Sequence, residues 1–363
     1  MKIGIIGCGN ISDRYIQHIH QFYSDLLDLT FVADVREDAA REKAKTYGIP
    51  RAGAVQELLE DRAVELVINL TPPQFHTQIN RRCIDAGKHV YTEKPFATSL
   101  EEALEITAYA KAHGVEINGA PDTYLAAPMV NCKRLLAEGW IGKPVFATAN
   151  CVYHGMETWH PAPDLFYQKG AGPVLDVGGY YLSALVALLG EIESIFSYAV
   201  TGLEEREIYA GPRAGKMIQV GTPTTYQSVL RMKCGATVNL NLSFDAWKAN
   251  LPRIEIYGTD GTLSVPDPNR AEGKALIFRK EQTLNQLIPD VEVVNDGGTF
   301  YPFPNREREF HGRLRGEGVA SMVRAISKGE PVDNAMTIHV TEATAGILLS
   351  AERGEVYRMT TAL

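Results

Sequence analysis

Ile3-Gly4-Ile5-Ile6-Gly7-Cys8-Gly9-Asn10-Ile11-Ser12 opens the chain almost at its first residue, and its reading decides the fold. A short apolar, strand-like run ends at a glycine pair. Gly7 permits a tight turn there, and Gly9 lets the backbone approach a diphosphate closely. A helix beginning near Asn10 supplies free N–H groups from Asn10 and Ile11 together with the positive end of its dipole. Ser12 stands where the third glycine of a dinucleotide fingerprint belongs, which predicts slightly looser helix–strand packing.

Working outward, further strand-like runs follow at Thr30 to Val35, Glu65 to Leu70, His89 to Thr92 and Val115 to Asn118. Amphipathic stretches separate them, such as Ser99 to His113, where Ser99 and Glu102 have capping-box spacing. Strands alternating with helices imply βαβ units and a parallel sheet. After Pro121 the pattern changes. A helical run around Val130 to Glu138 leads to a strand at Val145 to Val152. Two hairpins then turn at Cys234-Gly235-Ala236 and Thr259-Asp260-Gly261. Residues 266–308 read as loops around one short strand, and two helices, Gly318 to Lys328 and Met336 to Ala351, close the chain. The expectation is an α/β protein: a Rossmann dinucleotide-binding domain over 1–121, then an α+β domain over 122–363 built on a large, mostly antiparallel open sheet.

Asp34 ends the second strand, where a carboxylate accepts hydrogen bonds from the adenosine ribose hydroxyls and repels a 2′-phosphate. Arg36 would welcome that phosphate, so NADP is the second choice and NAD the first. Leu70-Thr71-Pro72-Pro73 ends the third strand in a sharp turn, placing Thr71 and Pro72 beside the dinucleotide. His76 has two readings, a cofactor contact or a helix-start histidine bonded to backbone. Glu93-Lys94-Pro95 follows the fourth strand-like run, where the nicotinamide end of the cofactor belongs. Lys94 suits general acid/base work, because burial and nearby cations draw a lysine pKa toward neutrality. Glu93 is expected to orient the lysine or the cofactor amide.

A second constellation is Gly170-Ala171-Gly172-Pro173-Val174-Leu175-Asp176-Val177-Gly178-Gly179-Tyr180-Tyr181 before an apolar helix. Asp176 reads either as a hydroxyl-binding carboxylate or as a helix N-cap. Tyr180 reads as a proton-sharing phenol or a core aromatic, and Tyr181 beside it as a substrate contact or a second core aromatic. Upstream, Tyr153, His154, Trp159 and His160 crowd one segment. Aromatic walls with polar tips suit the apolar C–H faces and hydroxyls of a sugar. A metal pair at His154 and His160 is the weaker alternative, because neither a nearby cysteine nor an H-E-x-x-H pattern accompanies them, and no metal is expected.

A net charge of −8 argues against nucleic acid and anionic membranes, and no apolar run approaches the roughly 20 residues that span a bilayer. The five cysteines are scattered without C-x-x-C spacing, as expected of buried reduced thiols in the cytoplasm. No signal-like segment precedes the first strand.

Together these residues resemble the Gfo/Idh/MocA family, which includes glucose–fructose oxidoreductase, inositol dehydrogenases and dimeric dihydrodiol dehydrogenase. The resemblance spans nearly the whole chain. It rests on Gly7 to Ser12, Thr71-Pro72, Glu93-Lys94-Pro95, Ile141-Gly142-Lys143-Pro144, Asp176 to Tyr180 and Tyr257-Gly258-Thr259-Asp260-Gly261. It implies that Lys94 is the family's catalytic lysine and that the open sheet joins subunits in a homodimer or homotetramer. Tyr180 replaces the histidine of many sugar and cyclitol members. Ala120-Pro121-Asp122 stands where an asparagine–arginine pair often lies, which leaves the particular substrate open. The leading expectation is NAD-dependent oxidation of a sugar, polyol, cyclitol or glycoside hydroxyl. The alternative is an NAD-dependent glycosidase that oxidises transiently, eliminates and re-reduces.

Overall fold

The computed structural model describes residues 1–270, 272–280, 301–303 and 315–363. In chain order the elements are β1 (Lys2–Ile6), α1 (Asn10–Phe22), β2 (Asp28–Ala33), α2 (Glu37–Tyr47), β3 (Arg51–Gly53), α3 (Val55–Glu60), β4 (Leu66–Asn69), α4 (His76–Asp85), β5 (His89–Thr92), α5 (Leu100–Ala112) and β6 (Ile117–Gly119). Then come α6 (Ala127–Ala137), β7 (Pro144–Val152), α7 (Gly179–Leu189), β8 (Ile192–Val200), β9 (Glu205–Glu207), β10 (Met217–Gln219), β11 (Thr225–Met232), β12 (Thr237–Ser243), β13 (Ile254–Gly258), β14 (Gly261–Val265), β15 (Ala275–Arg279) and β16 (Tyr301–Phe303). The chain closes with α8 (Glu317–Ser327), α9 (Ala335–Arg353) and β17 (Tyr357–Arg358).

Two compact units result, one of Met1–Ala126 with Arg313–Thr341, the other of Ala127–Gly312 with Glu342–Leu363. A cut at 121/122 makes two continuous segments, whereas the first unit also takes α8 from late in the chain. Physical chemistry explains the recruitment. Val319, Ala320, Met322 and Val323 of α8 are buried in the cluster that holds Ile3, Ile5, Tyr15 and Ile19, covering a sheet face that would otherwise meet water.

The first unit's sheet is parallel throughout, in the order β3-β2-β1-β4-β5-β6. Alternation along the strands serves two faces. Ile3, Ile5 and Ile68 pack with α1, α2 and α8, while Ile6, Val67 and Val90 pack with α3, α4 and α5. Only the three-residue β3 escaped the sequence pattern. Ser99 caps α5 by accepting the Glu102 N–H (3.2 Å), but the Glu102 carboxylate turns to the N–H and hydroxyl of Thr98 (2.8 and 2.7 Å), so half of the expected box forms.

In the second unit a nine-stranded sheet runs β16-β15-β14-β13-β7-β12-β11-β8-β17. Both expected hairpins are present as β11–β12 and β13–β14. β7 and β12 pair in parallel, so the sheet is mixed, and the segments that follow both strands leave from the same end. Within residues 266–308, β15 and β16 pair, and the remainder lies largely outside the described residues. Four cysteines are buried. Cys234, in the β11–β12 turn, is exposed, against expectation, because that turn projects beyond the sheet. Burial pushes the Cys83, Cys132 and Cys151 thiols up to about 12. Among the described residues no helix is long and apolar enough to cross a membrane.

The C-terminal tail is held by one buried carboxylate. Glu342 accepts the N–H and hydroxyl of Thr360 (2.7 and 2.6 Å), those of Thr361 (2.8 and 2.5 Å) and the Tyr357 hydroxyl (3.2 Å). Burial alone would raise its pKa, yet the bonds from Thr360 and Thr361 hold it below the ordinary glutamate value. A depressed pKa contributes stability that is complete above the unfolded value, near 4.3, and is lost as pH falls through the folded one. Glu342→Gln leaves buried donors facing an amide and should cost roughly 1–3 kcal/mol at neutral pH. Urea unfolding of both proteins checks this: the gap should shrink as pH falls below about 4.3, and a pH-independent gap would contradict it.

Candidate functional site

At the carboxyl edge of the first unit's sheet, β1 lies between β2 and β4, so the chain turns opposite ways on its two sides. That is the place where open α/β sheets take ligands. Gly7 sits there with φ +104°, and a Cβ on it would meet Leu70 backbone at 2.7 Å, so only glycine fits. Its N–H donates to Ala33 O (2.8 Å). Gly9 is extended and precedes α1 without any side-chain cap, and a Cβ placed on it would find nothing within 4 Å. The N–H groups of the first turn, from Asn10 and Ile11, therefore border open space beside a side-chain-free backbone. This cradle fits a diphosphate. Ser12 does not loosen the packing. It is fully buried, and its hydroxyl donates to Gly9 O (2.6 Å), fastening the turn.

Asp34 ties the same turn to the end of β2. One carboxylate oxygen accepts the Cys8 N–H (2.7 Å), the other the Arg36 N–H (2.8 Å). The half-buried carboxylate keeps further lone pairs for ribose hydroxyls. Burial, and then the Asp34 charge, push the neighbouring Cys8 thiol up to about 12. Arg36 is exposed before α2, whose first turn carries Glu37 and Asp38, both engaged by Arg41 (2.6 and 3.2 Å). The added carboxylates work against a 2′-phosphate.

The next turn is organised by Asn69, which sequence reasoning passed over. Fully buried at the end of β4, it accepts the Thr71 N–H and hydroxyl (3.2 and 2.7 Å) and donates to His76 O and Asn80 (3.2 and 2.8 Å). A lone polar residue closing Leu66-Val67-Ile68 was the available signal. Thr71 is half-buried, and Pro72 is exposed. His76, 2% exposed, is spent on backbone: its ring nitrogens lie 2.9 Å from Pro95 O and 2.8 Å from Thr71 O. That is the backbone-bonded reading, and it makes His76 a tie between two turns.

Ile6, Asn69 and Thr92 are partners across β1, β4 and β5, so Glu93-Lys94 lies two strand spacings, about 10 Å, from the Gly7 turn. Lys94 is half-buried, and its backbone N–H donates to Glu93 (2.8 Å). Glu93 is 6% exposed and faces inward, accepting the Tyr15 hydroxyl (3.0 Å) with Arg315 at 3.7 Å. Its carboxylate thus meets the Lys94 backbone and the interior of the unit.

The second unit has its own constellation. Asp176 lies in a π turn, Val174–Gly178, that runs into α7, so it is not an N-cap. Such turns recur at functional sites because the extra residue bulges from the helix. Asp176 is half-buried, and Tyr180, four residues on, is 5% exposed. Tyr181 is fully buried and, contrary to expectation, serves the core, because the almost wholly apolar α7 is packed on every side.

His154 is also not a free polar tip. Its ring stacks on Trp247 at 3.5 Å, and Nε2 lies 3.3 Å from Glu157. Burial lowers its pKa, favouring the neutral ring. Glu157, fully buried, also takes Arg206 (2.6 Å) and the Tyr167 hydroxyl, and Arg206 reaches Asp245. Trp159 and Trp247 are well exposed. Tyr153 packs edge-on against Phe244, and His160 against Phe166 (5.4 and 4.8 Å). Trp247 and Arg206 were missed, since each stands alone in a polar stretch far from Tyr153 to His160.

Comparison with known proteins places these features in a family. Residues 1–118 match the family model for an oxidoreductase with an NAD-binding Rossmann fold, and residues 129–264 match the Gfo/Idh/MocA C-terminal domain. The chain is 27% identical to D-xylose 1-dehydrogenase (NADP(+)) 2 of Haloferax volcanii, over 98% of each chain. It is 27% identical to myo-inositol 2-dehydrogenase of Thermotoga maritima, over 72% of this chain and 74% of that one. Among solved structures, levoglucosan dehydrogenase in complex with NADH and levoglucosan superposes with a TM-score of 0.78 at 18% identity, covering 99% of both chains. At that identity the likeness concerns the fold.

If Asp34 accepts the ribose hydroxyls as expected, Asp34→Ser removes both that acceptor and the charge opposing a 2′-phosphate. The NAD/NADP affinity ratio should fall roughly tenfold or more, the scale of a charge-assisted hydrogen bond worth about 1.5–3 kcal/mol. Calorimetric titration with both dinucleotides measures it, and equal affinities in the wild type would overturn the assignment.

Proposed function

The chain belongs to the Gfo/Idh/MocA oxidoreductase family, and from that premise we propose that it oxidises a hydroxyl of a sugar, polyol, cyclitol or glycoside, with NAD preferred over NADP. The observation that carries the reading is the single carboxyl edge bearing Asp34 after β2, the glycine turn after β1 and Lys94 after β5, in register across the strands β2, β1, β4 and β5. Gly7, Gly9, Asn10 and Ile11 hold the diphosphate, Asp34 the ribose, and Thr71 and Pro72 border the crevice. When bound, NAD supplies the acceptor for the hydride.

Lys94 takes the hydroxyl proton. Its backbone is fixed by Glu93, so the amine meets the substrate from a rigid turn. Asp176, partly exposed in its π turn, is assigned hydroxyl binding, and Tyr180 is assigned a share in the proton. The exposed rings of Trp159 and Trp247, with Tyr153 and His160, support a carbohydrate substrate because indole faces suit sugar C–H surfaces. His154 supports that wall from beneath Trp247.

The second unit's sheet favours a homodimer or homotetramer. Phe146, Tyr198, Val200 and Val229 are 44–63% exposed on it, an apolar surface of the kind that marks interfaces. A monomeric mass by light scattering at micromolar concentration would remove that assignment. A cytoplasmic location accords with the unpaired cysteines.

NADH formation across sugars, cyclitols, sugar acids and glycosides, with glycoside cleavage followed in parallel, tests the reading. Cleavage without NADH would replace it by a redox-neutral glycosidase. On the active substrate, Lys94→Ala should lower kcat by about 10²–10⁴-fold and leave NAD affinity nearly unchanged. Tyr180→Phe should lower kcat and alter the pH profile. Wild-type kinetics in Tyr180→Phe would return the ring to a packing role.

A further inference from the structure

Behind the Lys94 turn lies a buried polar cluster that the chemistry above does not use. Arg315, 3% exposed, reaches it from the segment just before α8 and lies 3.7 Å from Glu93 through Nε. Its own N–H donates to His18 Nδ1 (2.9 Å), which fixes where the side chain starts. The groups around Glu93 and Arg315 are Tyr15 and His18 from α1, Tyr91 from β5, and Asp122 after β6. Burial raises the Asp122 pKa, and Arg315 and the Gly318 N–H (2.8 Å) oppose that rise. The approach of α8 is close: a Cβ on Gly318 would lie 2.3 Å from the Tyr91 hydroxyl and 2.8 Å from Asp122 Cβ. Among the described residues the cluster holds two carboxylates, Glu93 and Asp122, and the Arg315 guanidinium.

A carboxylate this buried needs a cation or several donors beside it. Glu93 has the Tyr15 hydroxyl, the Lys94 N–H and Arg315. We propose that Arg315 is a positioning residue for Lys94: it holds Glu93 turned toward the Lys94 N–H, so a segment more than 200 residues later in the sequence sets the rigidity of the acid/base turn. The proposal rests on the assignment of Lys94 as the acid/base group. Without the guanidinium, Glu93 loses the cation beside its Oε1, and its hold on the Lys94 N–H loosens.

Four variants test this: Arg315→Gln, Arg315→Lys, Glu93→Gln and the double Arg315→Gln/Glu93→Gln. Arg315→Gln should lower kcat about tenfold or more near neutral pH, with NAD affinity within twofold of wild type. Arg315→Lys, which keeps a cation beside Glu93, should recover most of that loss. The kcat of the double variant should match that of Glu93→Gln alone within about twofold, since Arg315 acts through Glu93. If Arg315→Gln does not fold, the comparison of Glu93→Gln with the double decides. A double variant tenfold or more below Glu93→Gln overturns the proposal, as does a folded Arg315→Gln with wild-type kcat. Failure of the Lys94 assignment registers separately, as an active Lys94→Ala protein.

Discussion

The close approach of the Gly7 turn to the end of β4 constrains everything else in the first unit. A side chain there would strike Leu70 backbone, so β1 and β4 can lie adjacent with their turns in contact only because residue 7 is glycine. Asp34 completes the arrangement by accepting the Cys8 N–H, which orders the turn before any ligand arrives. Asn69 and His76 extend the order sideways, the first holding Thr71 and the second joining Thr71 to Pro95. The edge is thus a hydrogen-bonded strip from Asp34 to the turn that carries Lys94. Preorganisation of this kind spares reorganisation during reaction.

The second unit solves a different problem. A buried glutamate, arginine and tyrosine, with Asp245 and two threonine hydroxyls, lock the segments after β7 and β12 together. Those strands are parallel neighbours, so the segments leave from one end and need internal bonding to keep their backbone groups satisfied. The result is a stiff base that presents Trp247 and Trp159 outward.

Much of this was legible in the sequence, where function sits in local chemistry. Glycines at a strand end, a carboxylate closing the next strand and a lysine closing a later one are read from spacing alone. Less legible were outcomes decided by packing at long range. Tyr181 looks like a neighbour of Tyr180, yet helical geometry turns it into the core. Asp176 looks like an N-cap, and only the π turn shows otherwise. His76 and Glu93 were recognised as important, but their partners Pro95 O, Tyr15 and Arg315 lie 19, 78 and 222 residues away, beyond any pattern a local reading samples. The helix that follows Arg315 was expected, but not the unit it joins.

The most direct test of the central claim follows an isotope. A substrate deuterated at the reacting carbinol carbon is incubated with enzyme and NAD, and the label is located by mass spectrometry. The account predicts deuterium in free NADH at the nicotinamide C4 position, together with a slowed turnover. Deuterium retained in a cleaved sugar product, with NADH unlabelled, would contradict it.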